Sequence, residues 1–304
     1  MSEPGTATRP LLPRFVEGVH RSDVWPDAIS PGRRRLQQAR AIRRGVLAVL
    51  WTLLACPIQA AMLAMPGRGK VVFARLYWAG ISRCIGLPVR LMGGVPQRSQ
   101  VAERRVVFVA NHSSWLDIPV LGGRLEACFV SKDEIARWPG VSVIARLGRT
   151  VFVSRTRGAT GRERDDMRAR LAAGDNLLLF AEGTSSDGSR VLPFRSAFFS
   201  IAAGEDPPLI QPVSVVYDRL AGMATGRNRR PVFSWYGDMN LATHFWQFAQ
   251  WTGMRATVVL HPPLDPRDFA DRKALAQAAW DAVANGAAAL RQSRPERALA
   301  RTPA

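Results

Sequence analysis

The sequence predicts an α/β fold: a mostly parallel central sheet flanked by helices, behind an N-terminal membrane-associated helical hairpin. Three observations predict it. From Val106 onward, short apolar runs alternate with helix-like stretches. The run Val106–Ala110 ends directly on a polar block, at the place where parallel sheets carry their ligands. Ahead of this region, Gly45 to Met65 runs without a single charged residue, long enough to cross a bilayer.

Composition sets the frame. The chain has 304 residues, enough for one large α/β domain with additional segments, and 47% of them are hydrophobic, enough for a sizeable core. Its three cysteines, Cys56, Cys84 and Cys128, show no metal-binding or disulfide spacing, which fits a reducing compartment. The formal net charge is +18, unevenly spread: residues 1–105 hold 17 Arg and Lys against 5 Asp and Glu. Because this excess flanks apolar sequence, it points to an anionic membrane surface rather than to nucleic acid.

In chain order, residues 1–32 read as a mobile arm, rich in Pro, Gly and polar residues. Residues 33–90 read as the hairpin. Arg33, Arg34, Arg35, Arg40, Arg43 and Arg44 precede the uncharged stretch, Pro57 interrupts it, and Val71 to Leu87 forms a second amphipathic segment. Arg68 and Lys70 in the turn favour a hairpin dipping into one leaflet, with a single span as the alternative. Residues 91–290 read as the α/β domain, and 291–304 as a polar, frayed tail. Within the domain, strands are predicted at Val106–Ala110, Ala127–Ser131, Thr150–Ser154, Asn176–Phe180, Leu209–Val216, Val232–Tyr236 and Ala256–Leu260. Helical pieces fall near 115–122, 133–147, 160–173, 195–203, 240–252 and 267–290. Pro212 marks an edge, a start or a bulge in its strand.

The polar block after the first of these strands is Asn111-His112-Ser113-Ser114-Trp115-Leu116-Asp117. Residues five apart do not share a helix face. His112 and Asp117 therefore meet only if the histidine lies in the loop and the aspartate in the first helical turn. Ser114 and Asp117 also match a capping box with Ser114 as N-cap, so Asp117 has a purely structural reading as well. A second block, Phe180-Ala181-Glu182-Gly183-Thr184-Ser185-Ser186-Asp187-Gly188, follows Leu177-Leu178-Leu179. A carboxylate directly after a buried strand needs a partner, which singles out Glu182. A third, Gly148-Arg149-Thr150-Val151-Phe152-Val153-Ser154-Arg155, places Arg155 where a strand ends, suited to a carboxylate or phosphate. Lys132, one of three lysines, also follows a predicted strand.

Together these residues resemble the glycerolipid acyltransferase family, typified by the 1-acylglycerol-3-phosphate acyltransferases. That family carries N-H-x-x-x-x-D, G-x-x-F-x-x-R, E-G-T and a proline-containing strand in this order. Here they stand as NHSSWLD, GRTVFVSR, FAEGT and LIQPV, over roughly residues 45–265. The resemblance implies that His112 is the general base and Asp117 its orienting partner, and that Lys132, Arg155, Glu182, Gly183, Thr184, Ser185, Asp187 and Arg195 shape the substrate site. It implies an acyl thioester donor, on acyl carrier protein or coenzyme A, and a lysolipid acceptor. It implies no metal and no organic cofactor. It places the enzyme on the cytoplasmic membrane, monotopic or single-pass, with its catalytic domain on the cytoplasmic side. Backbone amides near Gly183 are expected to stabilise the oxyanion.

Two departures bear on the acceptor. Ala181 stands where the family commonly has Pro, and Ser185 where phosphate-accepting members commonly have Arg. The stretch EGTSSDGSRVLPFRSAFF looks more like the lyso-ornithine-lipid acyltransferase branch, whose acceptor carries a carboxylate and an amine. Lyso-ornithine lipid is thus the expected acceptor, 1-acylglycerol-3-phosphate the alternative. A basic membrane-binding protein that merely keeps the fold is the non-enzymatic reading.

Overall fold

The computed structural model describes residues 31–94, 104–138, 140–153 and 160–299. Apart from residues 31 and 32, the predicted N-terminal arm lies outside these residues. Two long helices come first, α1 (Pro31–Ala64) and α2 (Gly69–Cys84). There follow β1 (Val89–Gly93), β2 (Val106–Ala110), α3 (Asp117–Gly122), β3 (Cys128–Lys132), α4 (Val141–Leu147), β4 (Val151–Val153), α5 (Thr160–Ala172) and β5 (Leu177–Phe180). The chain closes with β6 (Leu209–Leu220), the two-residue β7 (Met223–Ala224), α6 (Leu241–Phe248), β8 (Arg255–Leu260) and α7 (Arg272–Arg291).

The strands form one sheet in the order β1-β8-β6-β2-β5-β3-β4, with β7 paired to β6. All neighbours on the main path run parallel except β6 and β8. β2 sits between β5 and β6 and is buried along its whole length, as its unbroken apolar run requires. Alternation across the pleat splits its side chains between two layers. Val106, Phe108 and Ala110 join Tyr77, Ile81 and Ile85 of the hairpin region in one core. Val107 and Val109 join Met167 of α5 and Leu275 and Ala279 of α7 in the other. Gly286 lets α7 come this close: a Cβ there would lie 2.5 Å from the His261 ring.

Several expectations change. The boundary drawn at 90/91 falls inside β1, whose pairing with β8 ties it to the sheet. Val232–Tyr236 is not a strand. Arg227–Val232 forms a 3-10 helix containing Pro231, and the Trp235 amide then donates to the Ser113 carbonyl, so this backbone is used up covering the β2 loop. β6 extends to Leu220 and is central rather than an edge. Pro212 is tolerated there because the ladder with β8 begins only at Val213. Within the tail, a 3-10 turn at Pro295–Leu299 buries Ala298.

The hairpin forms as a pair of helices, and α1 runs through Pro57 without a break. Trp51 Nε1–H donates to the Tyr77 carbonyl at 3.0 Å and holds the two helices together. The basic cluster divides. Arg33, Arg34, Arg35 and Arg43 are exposed, but Arg44 is buried and donates to the carbonyls of Ala249 and Trp251, while Arg40 donates to that of Gln250. These carbonyls follow the C-terminus of α6, the negative end of its dipole. Arg40 and Arg44 are therefore committed to docking α1 on the domain rather than to a lipid surface. The opposite side of α1 stays apolar and uncovered: Val46, Val49, Leu50, Leu53 and Leu54 are exposed, Leu53 by 65%.

Two buried histidines hold the core without joining the site. Trp115 Nε1–H donates to Nδ1 of His244 at 2.9 Å, so this ring carries its proton on Nε2. The Ser214 hydroxyl donates to the Val283 carbonyl, so Nε2 of His261 must donate to Ser214 Oγ, 2.8 Å away. Burial lowers both imidazoles from 6.5 to about 4. Rings held neutral in this way stabilise the fold above the unfolded-state pKa of about 6.5 and lose that contribution as pH falls towards 4, on the order of 3 kcal/mol each. As pH falls from 6.5 to 4, the wild-type melting temperature is therefore expected to fall relative to that of His261→Asn, since the other titrating groups act on both chains alike. A difference between the two melting temperatures that stays constant across that window would contradict this assignment.

Candidate active site

The C-terminal ends of β2 and β5 lie side by side, with Ala110 opposite Phe180. Each strand hands over to a polar loop there. Asn111 extends the sheet by one rung: its side-chain amide donates to the Val215 carbonyl and its oxygen accepts from the Val215 amide. The next residue, His112, is thereby fixed at the rim.

His112 and Asp117 meet as the spacing requires, one in the loop and one at the first residue of α3. Nδ1 of His112 lies 2.9 Å from Oδ2 of Asp117. The same carboxylate oxygen accepts from the amides of Ser113 and Ser114, at 2.8 and 2.9 Å. Oδ1 accepts from the Tyr217 hydroxyl at 2.5 Å. Asp117 is fully buried, at 0% exposure, and four donors converge on it. A carboxylate can only accept, so Nδ1 of His112 carries the proton and Nε2 presents its lone pair. Among the described residues nothing bonds to Nε2. The ring lies flat on Phe180, centroids 3.9 Å apart, and is 19% exposed.

The capping box forms in one direction only. Asp117 reaches back to the Ser114 amide, but Ser114 Oγ accepts from Leu116, and Leu116 rather than Ser114 is the N-cap. The Asp117 carboxylate occupies the amides of Ser113 and Ser114 ahead of the helix. Capping and holding His112 are thus done by one side chain.

Glu182 finds the partners its burial demands. Oε1 accepts from the His112 amide at 2.7 Å and Oε2 from the Leu192 amide at 2.9 Å. At 3% exposure it ties the two loops together from beneath, and burial pushes its carboxyl up to about 8 against the pull of those two amides. Gly183 follows with φ +72°, a left-handed conformation that favours glycine, and the Arg195 guanidinium lies against it. The Gly183 amide donates to the Phe180 carbonyl, and the Ser186 amide to that of His112, so neither is left for an oxyanion. The amides of Thr184 and Ser185, between them, have no acceptor among the described residues.

The remaining predicted residues are spread around this centre. Thr184, Asp187 and Arg195 are exposed and Ser185 half-buried. Asp187 Oδ1 accepts from the amide and hydroxyl of Ser189. Lys132 ends β3 at the same edge of the sheet; its side chain, and the whole of Arg155, lie outside the described residues. Sequence reasoning missed Phe180 and Tyr217 as parts of the site. Tyr217 precedes a bulge at Asp218, where β6 loses register with β8, and burial raises its hydroxyl well above the ordinary range. It keeps its proton and donates it. Only an interruption of the strand pattern near Tyr217 could have signalled this.

A strand-end loop holding a His–Asp pair on a parallel sheet is a general acid–base arrangement. Residues 94–216 match the family model described as Acyltransferase. The chain is 36% identical over 228 residues to a lyso-ornithine lipid O-acyltransferase of Brucella abortus, covering 73% of this chain and 84% of that one. A second protein of that description, from Rhodobacter capsulatus, is 41% identical over 182 residues, 59% of this chain and 64% of its own. The crystal structure of the 1-acyl-sn-glycerophosphate acyltransferase PlsC from Thermotoga maritima shares the fold, with a TM-score of 0.60 and 20% identity over 85% of this chain and 97% of that one. The chain belongs to the acyltransferase family that these proteins represent, and it is an enzyme of that class.

Proposed function

We propose that the chain is a membrane-associated O-acyltransferase that moves a fatty acyl group from an acyl thioester to the hydroxyl of lyso-ornithine lipid, giving ornithine lipid. The observation that carries this is the His112–Asp117 geometry in a chain whose relatives bear that description. Nε2 of His112 takes the proton of the acceptor hydroxyl as its oxygen attacks the thioester carbonyl. Asp117 stabilises the imidazolium that forms. The amides of Thr184 and Ser185, which have no acceptor among the described residues, receive the developing oxyanion. As the carbonyl re-forms, the C–S bond breaks and the imidazolium returns its proton to the departing thiolate. The donor is acyl carrier protein or a coenzyme A thioester, and the chemistry needs neither metal nor organic cofactor.

The acceptor assignment rests on Ser185 and Asp187. A phosphate acceptor is best met by a bidentate arginine, and Ser185 stands in that place. The exposed Asp187 carboxylate suits an ammonium instead. Ser185→Arg is therefore expected to shift the ratio of kcat/KM values towards 1-acylglycerol-3-phosphate by roughly tenfold. An unchanged ratio in a competition assay with both acceptors would count against this residue as the discriminator.

The uncovered apolar side of α1 is the proposed membrane contact, on the cytoplasmic face. Because Arg44 and the buried Tyr77 and Ile81 bind the hairpin to the domain, deleting it would expose the core; substitution on the open side is the cleaner probe. Leu50→Glu with Leu53→Glu should release the folded protein into the soluble fraction, since each charge costs on the order of 3 kcal/mol within the bilayer. Retention in the membrane pellet after a high-salt wash would contradict this.

A further inference from the structure

A cavity that the proposed chemistry leaves unused lies on the β6 side of the β2 loop. Asn111 and Ser113, the two residues flanking His112, form part of its wall. Thr225, Arg230 and Arg291 form another part. It therefore sits one residue away from the dyad.

The cavity wall brings two guanidinium groups together. Arg291, at the end of α7, donates from Nη1 to the Gly188 carbonyl at 2.9 Å. Its other donors, and all those of Arg230, have no acceptor among the described residues, and neither arginine forms an ion pair there. Burial is the main reason both guanidinium groups fall below their ordinary value; Arg230 lowers Arg291 further and Arg227 lowers Arg230, while Glu182 and Asp187 partly offset the shift of Arg291, and Asp187 that of Arg230. Asp218 also lines the cavity, but Arg255 and the Thr257 hydroxyl already occupy its carboxylate. The Thr225 hydroxyl is buried, at 6% exposure, with no hydrogen-bond partner among the described residues. A buried hydroxyl without a partner is costly, and two half-buried guanidinium groups brought together without an ion-pair partner add to that cost. Both costs vanish if a ligand brings the missing oxygens.

We infer that this cavity binds a compact oxyanion, a carboxylate or a phosphate, held by Arg230 and Arg291 and by the Thr225 hydroxyl. Planar guanidinium groups suit either ligand, and a threonine hydroxyl completes the donor set. Two sources bring such a group to the dyad: the head group of the acceptor lipid, which rests on the function proposed above, and a phosphate on the thioester donor.

Isothermal titration of the full chain in detergent with inorganic phosphate, and separately with acetate, reads the site without any acyl transfer. The wild type is expected to bind at least one of them. Arg230→Gln and Arg291→Gln should each weaken that binding about tenfold, and Thr225→Val severalfold. Arg230 has no described partner to lose, so Arg230→Gln keeps the test open if Arg291→Gln misfolds. No binding by the wild type, or equal binding by both arginine variants, overturns the site. Steady-state kinetics then assigns the source. A KM raised about tenfold for the lysolipid alone places the acceptor head group in the cavity; one raised for the thioester alone places the donor phosphate there, and either supports the site. Probe binding by a protein that acylates no lysolipid keeps the site and refutes the proposed function.

Discussion

Asp117→Ala should abolish acyl transfer and also destabilise the fold, by about 3–5 kcal/mol. The carboxylate is the common acceptor for two backbone amides, the His112 ring and the Tyr217 hydroxyl, all in a buried setting. Removing it leaves several donors without acceptors, each costing about 1–3 kcal/mol. For a chain of this size the melting temperature should fall by about 10 °C. Asp117→Asn separates the two roles. An amide oxygen can still accept from the loop, and its NH2 can donate to the Tyr217 oxygen, so most of the stability should return. The negative charge does not return, and with it goes the stabilisation of the imidazolium. The rate should stay at least about 10²-fold below wild type. Equal rates for Asp117→Asn and wild type would leave Asp117 with its capping role alone.

His112→Ala should lower kcat by about 10²- to 10⁴-fold, the usual contribution of a general base. The fold should tolerate it. The ring is partly exposed and its stabilising contacts are the stack on Phe180 and the bond to Asp117, so the melting temperature should move by no more than a few degrees. Because the Asp117 carboxylate keeps three donors, the loop stays in place. The combination matters: a large loss of rate with little loss of stability is what a base predicts and what a structural histidine does not. A non-catalytic membrane-binding protein predicts equal, background acylation by both chains.

The dyad was legible in the sequence because its spacing allows only one arrangement, loop then first turn. The sheet was legible because buried parallel strands write themselves as apolar runs, as in β2 and β5. β1 was not, because its burial is uneven and Arg90 breaks the apolar pattern. Val232–Tyr236 misled because an apolar and aromatic run looks the same whether it enters a sheet or, like Phe233 stacked on Tyr217, lies across its end. Tyr217 was hidden for a different reason: its partner is 100 residues away in the chain. Arg40 and Arg44 show the limit of reading charge from composition. A basic cluster beside an apolar helix suggests lipid, yet these two side chains are spent on the carbonyls that follow α6.

The central claim is that Nε2 of His112, held by Asp117, activates a lysolipid hydroxyl. The most direct measurement incubates the purified chain, and His112→Ala beside it, with lyso-ornithine lipid and an acyl thioester. Lipid product and free thiol are followed together. The predicted result is one ornithine lipid formed per thiol released by the wild type, with product from His112→Ala at least about 10²-fold slower. Equal product formation by the two chains, or thiol release by the wild type without lipid product, would contradict it.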